Sequence, residues 1–257
     1  MRKGTALVTG ASMGLGAILA RLFAADGHNL ILTARSEDKL AALAAELRTA
    51  HGVEVRVEPC DLADPAAPKQ LADRLADTPI DFLVNNAGFG TQGRFVKLDR
   101  QKELDEIQVN VAALTDLTRL FLPGMVERGF GRVLNVASTA GFQPGPFMAT
   151  YYATKAYVIS FSEGIAEELR GTGVTVTAHC PGATRTEFAA NAGIEKSRLF
   201  KLGPADATEV ATHAYRAMHA GRVVAIHGLK NWLGAFSIRF SPRAVVRRLV
   251  AWINQEA

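Results

Sequence analysis

Seven short apolar or β-branched runs alternate with longer segments of helical period: Thr5 to Thr9, Asn29 to Ala34, Val53 to Glu58, Ile80 to Asn85, Arg132 to Ala137, Val174 to Cys180 and Val223 to His227. That alternation is the pattern of βαβ units, because parallel strands need long crossovers, usually helices, to join them. The chain is therefore expected to form an α/β fold, a doubly wound Rossmann-like parallel sheet of about seven strands. Such sheets bind ligands beyond the carboxyl ends of their strands. A length of 257 residues with 48% hydrophobic content supports one substantial core. Residues 1–228 are read as the sheet domain, and 229–257 as a basic amphipathic extension of the same domain.

The loops after these strands hold the candidate chemistry. Thr9-Gly10-Ala11-Ser12-Met13-Gly14-Leu15-Gly16 follows the first strand and opens an Ala/Leu-rich helix. Glycines there allow a tight turn and let backbone N–H groups approach a pyrophosphate at the helix N-terminus. An ordinary strand-to-helix turn is the other reading, since the spacing is G-x-x-x-G-x-G. An acidic residue ending the second strand would bind a ribose 2′-OH, but Ala34-Arg35 stands there, and an arginine accommodates a 2′-phosphate. NADP(H) is expected over NAD(H), the alternative being an exposed arginine that merely opens the next helix. Asp61-Leu62 and Asn85-Asn86-Ala87-Gly88, after the third and fourth strands, read alone as a cap for a helix beginning near Pro65 and as a turn. Asn110 falls inside a helical stretch from about Arg100 to Glu127, where asparagine is a poor helix former and needs partners if buried. Ser138 is the first hydroxyl beyond the fifth strand, a turn serine or a carbonyl-binding group. In Tyr151-Tyr152-Ala153-Thr154-Lys155, residues i and i+4 share a helical face about 5–6 Å apart at Cβ. Tyr151, a phenol of ordinary pKa ~10, thus stands beside a cation that favours phenolate.

In this order, the glycine loop, Asp61, Asn85 to Gly88, Asn110, Ser138, Tyr151-x-x-x-Lys155 and Pro181-Gly182-x-x-x-Thr186 resemble the short-chain dehydrogenase/reductase family, with motifs spread from Thr9 to Thr186. The resemblance implies that Gly10, Ser12, Gly14, Leu15 and Gly16 hold a dinucleotide, with Asp61 and Leu62 at the adenine and Asn86, Ala87 and Gly88 against the adenosine half. It implies that Lys155 binds the nicotinamide ribose, and that Pro181, Gly182 and Thr186 flank the nicotinamide. It makes Asn110, Ser138, Tyr151 and Lys155 the catalytic set, Asn110 holding a water that links Lys155 to solvent. Tyr151 would act as general acid/base on an oxygen that Ser138 polarises. Tyr152, three residues from Lys155, is off the family's spacing. A non-catalytic dinucleotide sensor or scaffold of the same fold is the competing class, and it has no chemical need for all four residues.

Phe142, Phe147, Met148 and Phe188 are expected to wall a pocket for a small apolar ketone, aldehyde or secondary alcohol, the alternative being loop packing. The stretch after Thr186, with Phe200, is a mobile lid in the family. In the tail, Ser241-Pro242 reads as N-cap and N1, placing Val245, Val246, Leu249, Trp252 and Ile253 on one helical face. A membrane-surface helix, a cover over the site, a subunit contact and packing on the body all fit that face. From Arg222 onward there are six basic residues against Glu256 alone, whereas the preceding 221 residues carry 23 basic and 24 acidic groups. The basic character belongs to the tail, which argues against a global nucleic-acid footprint, since that needs a basic face on the body. Two cysteines, Cys60 and Cys180, in or beside predicted strands read as reduced core thiols, and they are too few for a zinc site. With no apolar leader after Met1 and no bilayer-length apolar run, a cytoplasmic protein is expected. The family resemblance adds a homodimer or homotetramer, associating through the helices that carry Asn110 and Tyr151.

Overall fold

The computed structural model describes residues 3–193, 197–201 and 203–255; Met1 and Glu256, used in the readings above, lie outside them. Seven parallel strands form one sheet: β1 (Thr5–Thr9), β2 (Asn29–Thr33), β3 (Val55–Val57), β4 (Phe82–Asn85), β5 (Gly131–Val136), β6 (Val174–Cys180) and β7 (Val224–Ile226). Their order is β3-β2-β1-β4-β5-β6-β7. The order reverses between β1 and β4, so the two chains leaving those strands diverge and open a crevice. The expected sheet is thus present, although β3 and β4 are shorter than the apolar runs that announced them.

The helices on the two faces are α1 (Gly14–Ala25), α2 (Glu37–His51), α3 (Ala67–Arg74), α4 (Arg100–Ile107), α5 (Leu114–Glu127), α6 (Ala149–Glu168) and α9 (Ala207–His219). Two short helices, α7 (Glu187–Ala192) and α8 (Arg198–Lys201), follow β6, and α10 (Leu229–Ser237) and α11 (Arg243–Asn254) form the tail. Helix α1 buries Gly16, Leu19, Ala20 and Phe23, the spacing that lays one helical face on the sheet. Beneath the crevice, Asn85 Nδ2 donates to Thr118 Oγ1 (3.0 Å) and Asn135 Oδ1 (2.9 Å), and Asn135 Nδ2 donates to Ser162 Oγ (2.9 Å). These buried polar links fix α5 and α6 to β4 and β5, holding the helix that carries Tyr151 in one place.

Three local expectations change. The stretch 100–127 is not one regular helix: Gln108–Ala113 is a π-helical turn, with Asn110 buried inside it. Asp61 caps no helix; its Oδ1 accepts from Ala63 N (3.1 Å), and α3 starts only at Ala67. Helix α11 starts at Arg243 with Pro242 as its N-cap residue, because the Ser241 hydroxyl donates back to Ser237 O (2.9 Å) and does not cap. Its buried residues are Val246, Val250 and Asn254, while Val245, Leu249 and Trp252 face outward. No described helix is long and apolar enough to cross a membrane.

Candidate active site

A cavity of about 420 Å³ lies across the carboxyl ends of the strands, from the glycine turn to the tail. Its floor is a latch between the turns after β1 and β4. Thr9 Oγ1 donates to Val84 O (3.1 Å) and accepts from Asn86 N (3.0 Å) and Ala87 N (2.9 Å). Asn86 Nδ2 in turn donates to Thr9 O (2.9 Å) and Gly10 O (3.2 Å). So close an approach excludes side chains: a Cβ at Gly10, whose φ is +63°, would lie 2.9 Å from Ala87 Cα. Gly10, Ser12, Gly14 and Leu15 line the cavity. Gly16 does not; it is buried in α1 behind the turn. Sequence reasoning missed Thr9, whose hydroxyl holds the turns together, since a threonine ending a strand looks like any other.

Arg35 stands exposed on the cavity lip with Asp61 and Leu62 close by in the lining, and it makes no ion pair among the described residues. Helix α1 has no side-chain cap, so its first N–H groups are available to an anion. Bare glycine backbone, a helix N-terminus and a free guanidinium suit a phosphorylated dinucleotide. Beyond β6 the chain folds back over this end: Pro181, Gly182 and Thr186 line the cavity, and a Cβ at Gly14 would meet Thr186 at 3.5 Å.

At the other end, α6 presents Tyr151 and Lys155 on one face. Lys155 is buried, its Nζ donating to Val136 O (2.7 Å) at 5.7 Å from the Tyr151 ring centroid. Burial lowers this ammonium to about 8, with Glu106 pulling it up. The Tyr151 phenol behaves differently from expectation. Burial raises it above its ordinary value, Ser138 draws it down by hydrogen bonding, and Tyr152 and Glu106 push it up. With burial the largest of these effects, the Tyr151 phenol stays protonated at neutral pH. Ser138 Oγ also accepts from Ala140 N (3.1 Å), which aims it.

Asn110 does not line the cavity. Its Oδ1 accepts from Phe89 N (3.1 Å), and its Nδ2 donates to Phe89 O (2.9 Å) and Thr154 Oγ1 (3.1 Å). Both Nδ2 hydrogens are engaged in fixing the loop after β4 to α6, while Oδ1, with one bond accepted, keeps a second lone pair. A Cβ at Gly88 would lie 2.9 Å from Asn110 Oδ1 and 3.5 Å from Lys155 Nζ, so Asn110 and Lys155 converge over a position only glycine fits. Tyr152 is tied up too, its hydroxyl donating to Asn254 Oδ1 of α11 (3.0 Å).

Sequence reasoning also missed two buried carboxylates beside this end. The Thr91 hydroxyl bonds Glu103 and, at 3.1 Å, Glu106; Thr150, next to Tyr151, bonds the other oxygen of Glu103. Glu106 is fully buried, and its Oε1 has no hydrogen-bond partner among the described residues. Burial, with Glu103 adding to it, raises Glu106 to about 7 from 4.5, against the Thr91 bonds and Lys155. Folded Glu106 therefore keeps its proton up to about pH 7, whereas the unfolded chain releases it near 4.5. Unfolding releases protons between those values, and stability falls as pH rises through the window, by up to about 3 kcal/mol. Glu106→Gln is expected to raise the melting midpoint several degrees at pH 8 and to leave it nearly unchanged at pH 4.5. Equal shifts at both pH values would contradict the assignment.

The apolar end of the cavity is lined by Phe89, Met148, Tyr152, Phe188, Phe200 and Ile253. Met148 and Phe188 are where the sequence places them, whereas Phe142 and Phe147 are not in the lining. Phe142 packs into the core with Leu114, Val158 and Cys180, and Phe147 sits at φ +69° in a turn whose carbonyl accepts from Gly93 N (2.9 Å). Ile253 comes from the tail, which Asn254 anchors through Tyr152, Pro146 O (3.0 Å) and Gln92 (2.5 Å). The tail's inner face thus packs on the body and closes one side of the site. Residues 194–196 and 202 of the expected lid lie outside the described residues.

A family model described as short chain dehydrogenase matches residues 4–197. Ketoacyl reductase HetN of Nostoc sp. is 37% identical over 180 residues, 69% of this chain and 62% of that one, so the chain spans under two thirds of that relative. A putative ketoacyl reductase of Streptomyces coelicolor is 36% identical over 211 residues, 80% of each chain. Among solved structures, a short-chain dehydrogenase from Sphingobium yanoikuyae in complex with NADPH superposes with a TM-score of 0.84 at 36% identity, covering 92% of this chain and 94% of that one.

Proposed function

We infer the reaction from a family membership: this chain belongs to the short chain dehydrogenases, whose model matches residues 4–197. It is accordingly an oxidoreductase of carbonyl and alcohol groups. Within that class we propose an NADP(H)-dependent reductase of an apolar ketone or aldehyde, with Tyr151 as proton donor. The observation that carries this is the Tyr151 phenol, held protonated by burial, lining one cavity with Ser138 and Lys155 between an unpaired arginine and an aromatic wall. The NADPH complex of the Sphingobium neighbour and the ketoacyl names of the two relatives support the cofactor and a carbon chain bearing a ketone.

A bound nicotinamide dinucleotide supplies the hydride in reduction. Tyr151 gives its proton to the oxygen that becomes anionic, and the Ser138 hydroxyl donates to the same oxygen, stabilising the charge as it develops. Lys155, an ammonium beside the phenol, returns a proton to it. Asn110 positions Lys155 and the loop after β4, and the latch of Thr9 and Asn86 keeps the glycine turn open to the pyrophosphate. The apolar wall holds the substrate and excludes water. Self-association is assigned to the α4–α6 side, where Leu104, Ile107 and Tyr157 are exposed.

Titrating the protein with NADPH and NADH by cofactor fluorescence, with and without Arg35→Ala, tests the phosphate reading. A charge-assisted bond to the 2′-phosphate is worth about 1.5–3 kcal/mol. NADPH affinity should therefore fall about 10- to 150-fold in Arg35→Ala while NADH affinity holds. Equal affinities in the wild type would remove the role of Arg35. With the preferred cofactor in place, turnover should rise from polyols to ketones carrying aliphatic or aromatic groups; polyols as best substrates would refute the apolar pocket.

A further inference from the structure

Independently of the reaction assigned above, we propose that the outer face of the tail docks the protein on an anionic lipid surface. Helix α10 carries Leu229, Trp232, Leu233 and Phe236, all exposed, at positions i, i+3, i+4 and i+7, so they form one stripe. The stripe continues beyond the helix: Trp232 stacks on Phe236 (centroids 5.3 Å apart, planes at 5°), and Phe236 meets Phe240 edge-on at 5.3 Å. Phe240 at the end of this column is 76% exposed. On α11 a second outward stripe, Val245, Leu249 and Trp252, lies opposite the residues that pack on the body. The helices therefore have a settled inner face and an apolar outer one, and large exposed apolar surface on a chain of this kind marks an interaction site.

Charge selects the occupant. Between residues 210 and 255 there is no Asp or Glu, while Lys230, Arg239, Arg243, Arg247 and Arg248 are exposed around the two stripes. None of these five makes an ion pair among the described residues. A second copy seated here would bring like charges together, and the face assigned to self-association lies on α4 and α6. A membrane carrying acidic headgroups answers both features, an apolar layer for the aromatic column and counter-charge for the cations. Because the inner face of α11 supplies Ile253 to the cavity, docking would set the apolar end of the site close to the bilayer.

The full chain is sedimented with vesicles of phosphatidylcholine alone and of phosphatidylcholine mixed with phosphatidylglycerol, at low and high salt. Binding is expected only to the mixed vesicles, weakening as the screening length shrinks from about 8 Å at physiological salt to about 3 Å at 1 M. Replacing Arg239, Arg243 and Arg247 by Gln should weaken it about fivefold per charge, about a hundredfold together. Trp232→Ser with Phe236→Ser and Phe240→Ser should abolish it. Both variants should keep soluble reductase activity, which shows that they fold. Equal or absent binding to the two vesicle types overturns the proposal, as does an aromatic triple variant that binds lipid like the wild type. Conversion of an oligomer to monomer by that variant, with lipid binding unchanged, assigns the face to a second copy instead.

Discussion

Replacing Tyr151 by Phe is expected to lower kcat/KM for ketone reduction by about 10²- to 10⁴-fold, the contribution of a positioned general acid, equivalent to about 3–5 kcal/mol of transition-state stabilisation. The ring stays in place: Tyr151 packs at 5.4 Å against Phe188, and Gly90 leaves room for its edge, so the substitution removes only a hydroxyl. Dinucleotide affinity should accordingly change by no more than a few-fold. Tyr152→Phe is the matched control. Its hydroxyl is spent on Asn254, so the loss is a structural hydrogen bond worth about 1 kcal/mol of stability, with turnover largely kept. If Tyr151→Phe turned over every accepted carbonyl at the wild-type rate, or if Tyr152→Phe were the inactive variant, the acid would be misassigned. The raised phenol gives a second signature: the reductive rate should show no loss from Tyr151 ionisation below pH 10, the ordinary phenol value.

What could be read from the chain before its fold follows from periodicity. Strand runs bounded by glycine turns, and a Tyr-x-x-x-Lys step on a helix, are local patterns, and both survive folding because no tertiary contact overrides them. What failed depended on contacts from elsewhere. Asn110 looked like a helix-interior misfit; the π-turn that accommodates it exists because its side chain reaches the backbone of Phe89 and the hydroxyl of Thr154. Glu103 and Glu106 carry no signal of burial in the sequence, because the threonines at 91 and 150 that bond them are brought in by other segments. Phe142 and Phe147 are expected in the pocket wall with Met148, but a short helical turn at Thr139–Phe142 and the left-handed residue at 147 direct both elsewhere. In the tail the sequence puts Val245, Val246, Leu249, Trp252 and Ile253 on one face of a helix starting at Pro242, whereas the helix starts at Arg243 and only Val246 of those five is buried. Which side of that helix turns inward is set by contacts from elsewhere: Asn254 bonds Tyr152 and Pro146 O, so Val246 and Val250 pack on the body while Val245 and Leu249 face outward.

Gly16→Val is expected to lower stability by more than about 3 kcal/mol and to abolish dinucleotide binding. A Cβ there would lie 2.3 Å from Gly10 O and 2.5 Å from Asn86 Nδ2, far inside van der Waals contact, and valine adds two methyl groups more. Flexible side chains could yield, but these atoms cannot. Gly10 O is backbone, and Asn86 Nδ2 is held by Thr9 O and Gly10 O, so relief requires breaking the latch between β1 and β4. Overpacking of this kind costs about 1–3 kcal/mol before any hydrogen bond is lost, and about 1 kcal/mol more for each that is. At roughly 2–4 °C per kcal/mol for a chain of this size, the melting midpoint should drop by at least about 6–12 °C. Gly164→Ala in α6 is the contrasting glycine. Nothing lies within 4 Å of its added Cβ, and alanine is the better helix former by about 1 kcal/mol, so that variant should melt slightly higher. The two glycines are both helical, so a difference of sign between them tests whether the first is required by the close approach of the turn and not by helix propensity. A Gly16→Val protein with wild-type melting and NADPH affinity would show that the turn can open without the latch, removing the reason for a glycine at that position.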